Sequence, residues 1–237
     1  GGGPLASTRS YGAGCYSSSK AFYEYFGASD VFDLGGRAMT LVRSGQSYTV
    51  NGTGAFVTPG VNARVLTLAD DAEATFALTG TLSYPGGSTS ALTICSNGFV
   101  SPAVGNGTGF APTASAWLSS PLPRWGTWHD FNPSAGGRVR FEQVGTIAYV
   151  TWESVVDFAG ALPSTWQLQF NLTSGNVTFA WNTLVTNGSE TLVGFASGSG
   201  DADLGSVDLS VRLASGFTTS TTNLRSEEHT SELQSPC

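Results

Sequence analysis

Glu142 and Glu153 are the pair of acidic residues with the clearest capacity for chemistry. Glycoside hydrolases need two carboxyl groups about 5–9.5 Å apart, one of which donates a proton to the leaving group. A two-residue turn at Gly145-Thr146 instead places Glu153 opposite Arg138, and at roughly 3.3 Å per residue the two glutamate backbones lie about 13 Å apart. The spacing therefore favours an ion pair, and a β-sandwich glycoside hydrolase is the weaker functional interpretation.

His129 is the only histidine before the last thirteen residues. A serine hydrolase needs a base beside its nucleophile, and the sequence has no complete Gly-x-Ser-x-Gly elbow to supply one. One histidine and two distant cysteines also lack the ligand spacing of a zinc site. We therefore predict no catalytic residues and a protein that is not an enzyme.

Calcium is the metal that the acidic stretches favour, because it takes six to eight oxygen ligands. Asp201, Asp203 and Asp208 lie close together in the chain, and shorter groups stand at Asp70-Asp71 and 130–132. The alternative is that these side chains cap their own turns. A structural calcium ion at Asp201, Asp203 and Asp208 stays open as an interpretation, and no other cofactor is indicated.

Asp130 and Asn132 are predicted to shape the turn that leads into the long hairpin. The Asp130 carboxylate is expected to accept hydrogen bonds from the amides of residues 134–137, which have no partners in a sheet. Charge-assisted bonds of this kind contribute roughly 1.5–3 kcal/mol. Replacing Asp130 with alanine is therefore expected to destabilise the fold by that amount.

The six tryptophans suggest carbohydrate binding as an alternative function, because flat apolar rings stack well on sugars. Three of them fall on predicted core faces of strands. The other three stand in or beside loops, where we expect exposure and glycan contact: Trp117, Trp125 and Trp128. A hydrolase would instead need two acids that converge in a cleft, and no such convergence is expected.

Alternating hairpins must position these side chains. The first hairpin turns at Gly145-Thr146 and predicts the pairs Arg138–Glu153, Val139–Trp152 and Phe141–Val150. The second turns at residues 173–176 and predicts the pairs Leu172–Val177, Phe170–Phe179 and Leu168–Trp181. Short strands, regular turns and a last strand at Val207–Val211, without a helical period, indicate an all-β antiparallel sandwich. We expect it to be jelly-roll-like, with long loops and little or no helix.

Composition divides the 237 residues into one domain and two flanks. Residues 1–12 are rich in glycine and serine and are expected to be a flexible flank, 13–215 a single sandwich domain, and 216–237 a disordered tail. Within that tail, residues 225–237 resemble a translated sequencing adapter and are left out of the fold reasoning.

Charge and cysteine content limit the partners and the compartment. The net charge is −7 and Lys20 is the only lysine, so no basic surface exists for nucleic acid. No stretch approaches the ~18 apolar residues of a membrane span, so no membrane insertion is expected. Cys15 and Cys95 are the only cysteines before the tail, and they form either a disulfide or two separate buried thiols. The scarcity of lysine and the wealth of threonine, serine and glycine favour a secreted or cell-surface protein.

A series of motifs in fixed order resembles nidogen-like β-sandwich modules of secreted bacterial proteins, over about residues 60–215. The motifs are Cys95–Val100, Trp128–Pro133, Gly136–Phe141, Tyr149–Trp152, Trp166–Phe170 and Gly175–Phe179. These modules usually carry two acids after the tryptophan, where this chain has His129-Asp130. The resemblance implies an extracellular, non-catalytic module with a structural, adhesion or accessory role, whose partner is an extracellular protein or a glycan.

Overall fold

The computed structural model describes residues 20–219 except 159, 161, 186–187 and 199. Its strands are β1 (Phe22–Phe26), β2 (Ala38–Ser44), β3 (Ser47–Asn51), β4 (Arg64–Leu66), β5 (Glu73–Tyr84), β6 (Gly87–Cys95), β7 (Phe99–Pro102), β8 (Arg124–Trp128), β9 (Phe131–Asn132), β10 (Arg138–Val144), β11 (Ile147–Asp157), β12 (Ser164–Asn171), β13 (Val177–Thr183), β14 (Thr191–Ala196) and β15 (Phe217–Thr218). Two short helices accompany them, α1 (Ala114–Leu118) and α2 (Leu209–Arg212).

The strands form two antiparallel sheets that pack face to face. The six-stranded sheet has the order β1-β14-β8-β7-β6-β5. The nine-stranded sheet has the order β15-β3-β2-β13-β12-β11-β10-β4, with β9 paired to β11. The prediction of an all-β antiparallel sandwich with little helix is confirmed.

An aromatic core joins the two sheets. Trp125 of β8 lies edge-on to Phe170 of β12, with ring centroids 5.7 Å apart. The indole nitrogen of Trp181 donates to the Thr127 hydroxyl across the sandwich, at 2.8 Å. Apolar burial and these buried hydrogen bonds together fix how one sheet lies on the other.

The hairpin of β10 and β11 has the predicted register. Its cross-strand pairs include Arg138–Glu153, Val139–Trp152 and Phe141–Val150. Gly145 takes the left-handed backbone conformation that the two-residue turn needs, with φ of 58°. Turn chemistry and cross-strand pairing agree here, which is why the sequence was sufficient to predict the register.

The hairpin of β12 and β13 is correctly placed but wrongly registered in the prediction. The observed pairs include Phe170–Val177, Leu168–Phe179 and Trp166–Trp181. The reason is that the loop begins earlier, since the Asn171 side chain accepts hydrogen bonds from the amides of Thr173 and Ser174. The shift leaves every side chain on its predicted face, so the hydrophobic pattern could not reveal it.

The predicted strand at Val207–Val211 is wrong, because α2 occupies most of it. The Asp208 carboxylate caps this helix by accepting from the amide of Val211, at 2.9 Å. The sheet also extends past residue 215, since β15 pairs with β3. Residues 1–19 and 220–237, which hold the glycine-rich flank and the adapter-like segment, lie outside the described residues. Among the described helices, none has the length and apolar character needed to cross a bilayer.

Candidate functional site

The three tryptophans expected at a glycan site are buried, so that expectation is wrong. Trp117 and Trp125 are 0% exposed and Trp128 is 3% exposed. Trp125 faces the core between the sheets, whereas Trp128, three positions later, faces the outer side of the six-stranded sheet. The short helix α1 covers that outer side, where Trp117 stacks on Trp128 with ring centroids 6.0 Å apart.

These outer tryptophans surround an arginine that the sequence analysis missed. The Arg124 guanidinium lies 4.4 Å from the ring centroid of Phe99, 4.8 Å from Trp128 and 5.3 Å from Trp117. Burial lowers the pKa of Arg124 to about 10. We call Arg124 and these three rings the arginine cage. Its ring faces are occupied within the chain, so they do not form a platform for sugars.

The tempting glutamate pair is also committed to structure. Glu153 accepts from Arg138 at 2.5 Å and from Arg140 at 2.7 Å. The hydrogen bond from Arg138 is the main reason that the pKa of Glu153 is lowered. Glu142 accepts from the amide of Gly60 at 2.8 Å. Each glutamate therefore holds a neighbouring segment in place.

The calcium site expected at Asp201, Asp203 and Asp208 is not formed. Asp201 accepts from the Ser197 amide at 2.7 Å, and Asp203 accepts from the Tyr23 hydroxyl at 2.9 Å. Asp208 caps α2. The interpretation as local caps and turns is the better one, because each carboxylate has its own donors nearby.

A different set of carboxylates meets at one end of the sandwich: Asp70, Asp71 and Asp130, called here the acidic cluster. One carboxylate oxygen from each lies within 4.8 Å of the others, and in the described part of the chain this is the only such group of acidic, histidine or cysteine ligands. Asp70-Asp71 forms the turn before β5, and Asp130 lies between β8 and β9. The absence of converging acids that the sequence predicted is therefore wrong.

Asn97 ties the loops of the acidic cluster together. Its side chain is fully buried, and its Nδ2 donates to Asp71 Oδ1 at 2.7 Å and to the Thr108 carbonyl at 3.0 Å. Its Oδ1 accepts from the Phe131 amide at 3.0 Å. The acidic side chains are thus held close together by backbone segments that a single buried amide joins.

The charges of the acidic cluster oppose one another. Burial, followed by the charges of Asp71, Asp70 and Asp157, raises the pKa of Asp130 to about 6. Burial and the charge of Asp71 likewise raise the pKa of Asp70. One Asp70 oxygen, Oδ1, is buried without a hydrogen-bond partner in the described structure. Both effects mark this as a place where negative charge is poorly compensated.

The turn role predicted for Asp130 belongs to Asn132 instead. Asn132 Oδ1 accepts from the amides of Ser134 and Ala135, at 3.0 and 3.2 Å. In the described structure the Asp130 carboxylate receives no hydrogen bond. The sequence analysis recognised the turn correctly but assigned its acceptor two residues too early.

His129 and Cys95 are internal groups. His129 is fully buried, with Nδ1 2.8 Å from the Glu190 carbonyl and Nε2 3.6 Å from Asp157 Oδ2. Burial raises the pKa of the Cys95 thiol to about 12. Cys15 lies outside the described residues, so its pairing with Cys95 stays a prediction.

Two exposed aromatic side chains flank the acidic cluster. Phe158 is 62% exposed, and its amide donates to the Asp130 carbonyl at 2.8 Å. Phe110 is 52% exposed and follows Gly109, whose carbonyl lies 3.4 Å from Asn97 Nδ2. We call the acidic cluster together with Phe110 and Phe158 the acidic end.

The acidic cluster is a poor match for calcium by ligand count. Calcium takes six to eight oxygens, and each of the three aspartates supplies one to the group. The nearby carbonyls of Thr108 and Gly109 already accept from Asn97 and Trp128. No family model, curated protein or solved structure matches the chain.

Proposed function

We propose that this chain is a secreted or cell-surface, non-catalytic module with a structural or adhesive role, and that its acidic end contacts an extracellular protein. The observation that carries the proposal is the pair of exposed phenylalanines beside three poorly compensated carboxylates. Aromatic side chains are enriched in protein interfaces, where they bury a large area at a small entropic cost. Such rings are seldom left in solvent without a partner to cover them.

The architecture supports a binding role for this end of the molecule. The acidic end is built from loops, at 70–71, 108–110, 129–130 and 158, that leave the ends of paired strands. Loops held by a rigid scaffold are the usual place for recognition, because they vary without disturbing the core. Buried Asn97 fixes three of these loops relative to one another.

The secreted or cell-surface location rests on composition and on the resemblance to nidogen-like modules. The Cys15–Cys95 disulfide belongs to the same proposal. Cys95 is buried in an apolar cluster that also contains Ala21, six residues after Cys15. Six residues of extended chain reach about 20 Å, so a bridge is within range.

The alternative functions are less well supported. The tryptophans that suggested carbohydrate binding are buried in the core or committed to the arginine cage. The glutamates that suggested hydrolysis are bonded to arginines or to backbone. We therefore retain protein contact as the proposed function.

The test compares binding by the wild type and by a double variant, Phe110→Ser with Phe158→Ser. Both would be measured by biolayer interferometry against a panel of purified extracellular proteins. Val144→Ser is the matched control, since Val144 is 61% exposed and lies in the hairpin of β10 and β11. We expect a panel protein to bind the wild type and the control but not the double variant. Equal binding by all three, or turnover of a polysaccharide by the wild type, would refute the proposal.

A further inference from the structure

We propose that the acidic end recognises a basic protein segment by seating an arginine guanidinium among the carboxylates of Asp70, Asp71 and Asp130. This rests on the proposed function, because it names the partner chemistry of the same surface. The guanidinium presents five N–H donors in a rigid, planar fork that suits several carboxylate oxygens at once.

Geometry is the first argument for an arginine. The three carboxylates bring one oxygen each within 4.8 Å, which a single guanidinium can span. Asp71 Oδ1 has a donor in Asn97, whereas Asp70 Oδ1 has none in the described structure. A partner that brings N–H groups would satisfy the acceptors that the chain leaves open.

The exposed rings supply the second argument. Phe110 and Phe158 stand on two sides of the carboxylates, where they can pack against an arginine stem or the face of its guanidinium. The chain uses the same chemistry internally, since Arg64 lies 5.0 Å from the Phe76 ring centroid. A bare metal ion would neutralise the carboxylates but would leave both rings exposed. The surface as a whole therefore fits a basic peptide better than it fits a cation alone.

Charge and rigidity supply the third argument. The chain carries a net charge of −7, which attracts a basic partner over distance at low salt. Asn97 already holds Asp71 and the Asp130 loop in place, so little ordering is needed on binding. A cation also relieves the repulsion among three carboxylates that the fold forces together.

Binding should weaken in acid because Asp130 must be ionised to hold the guanidinium. Its pKa is about 6 in the free chain, so a proton competes with the partner below that pH. The groups whose charges act on Asp130 are Asp70, Asp71 and Asp157, and Asp157 faces buried His129. Burial lowers the pKa of His129, so the ring is neutral where binding is strongest.

The experiment uses fluorescence anisotropy with a labelled Gly-Ser peptide that contains two arginines. A peptide with glutamine in place of both arginines is the control ligand. We expect the arginine peptide to bind at pH 7.5, with affinity at least about tenfold weaker for Asp130→Asn and for Asp71→Asn. Asp33→Asn removes the same charge from an exposed position elsewhere and should bind like the wild type. Thermal melts establish that each variant is folded.

Several results would overturn the proposal. It fails if the glutamine peptide binds equally well, or if the Asp71 and Asp130 variants bind the arginine peptide like the wild type. It also fails if calcium alone raises the melting temperature through these aspartates and displaces the peptide, because the cluster is then a metal site. If a panel protein binds through the phenylalanines while the arginine peptide does not, this inference fails and the proposed function stands.

Discussion

The arginine cage and the acidic end both combine charge with aromatic rings, but one is closed and the other is open. Arg124 is only 5% exposed, and three rings of its own chain surround it. The three aspartates meet at the surface, and the rings beside them are more than half exposed. The difference teaches that aromatic residues next to a charge indicate recognition only when their faces are free. A closed arrangement of the same residue types is part of the core.

The closed region is most directly broken by Trp117→Ala. Trp117 is fully buried, stacks on Trp128 and lies against Arg124. We expect a loss of about 3–5 kcal/mol in the free energy of unfolding, as for other buried aromatic residues cut back to alanine. Urea denaturation measures it, with exposed Val144→Ala as a control expected within about 0.5 kcal/mol. A loss no larger than that of the control would show that the cage is not structural.

Asn97→Ala should separate the support of the open region from the region itself. The variant leaves the Phe131 amide and Asp71 without their Asn97 partners inside a buried site. We expect a loss of about 2–3 kcal/mol, because a buried group without its hydrogen bond costs about 1–3 kcal/mol. Equilibrium unfolding gives the loss, and binding of the arginine peptide should weaken in the folded variant. Unchanged stability would mean that the loops are held by something else.

Asp130→Asn sharpens the comparison, because here removing a charge should help. A folded pKa above the usual value means that the ionised carboxylate is disfavoured in the folded state, so at pH 7 Asp130 destabilises the protein. With allowance for solvent screening, we expect asparagine to raise the free energy of unfolding by about 1 kcal/mol at pH 7. The advantage should shrink as the pH falls from about 6 toward 4, where wild-type Asp130 becomes protonated. A destabilised variant at pH 7 would support the turn role predicted from sequence.

Arg124→Met is expected to have the smallest effect. Methionine keeps an apolar chain of similar length between the rings and removes a buried charge that has no hydrogen bond at Nε or Nη1. Replacing buried charges by apolar side chains is often close to neutral, so we expect a change below about 1 kcal/mol. Calorimetry provides the measurement. A loss as large as that of Trp117→Ala would show that the charge itself holds the cage together.

Local pattern predicted the fold far better than it predicted the site. Alternation and turn residues gave the sandwich and the register of β10 and β11. They missed the acidic cluster because Asp70-Asp71 and Asp130 are far apart in the chain and meet only through tertiary packing. The arginine cage had a usable signal, since Arg124 and Trp128 stand four positions apart in one strand and so share a face. The burial of Trp117 had no comparable signal, because it depends on where the five-residue helix α1 docks.

The most direct test of the open acidic end is the pKa of Asp130 in solution. Carboxyl carbon-13 NMR would follow Asp130 through a pH titration, with the Asp130→Asn spectrum assigning the resonance. The structure predicts a midpoint at about pH 6 in the free chain. It also predicts a shift to lower pH when the arginine peptide is bound, because a nearby cation favours the ionised form. A midpoint at the ordinary aspartate value of about 4, unmoved by the peptide, would contradict the account.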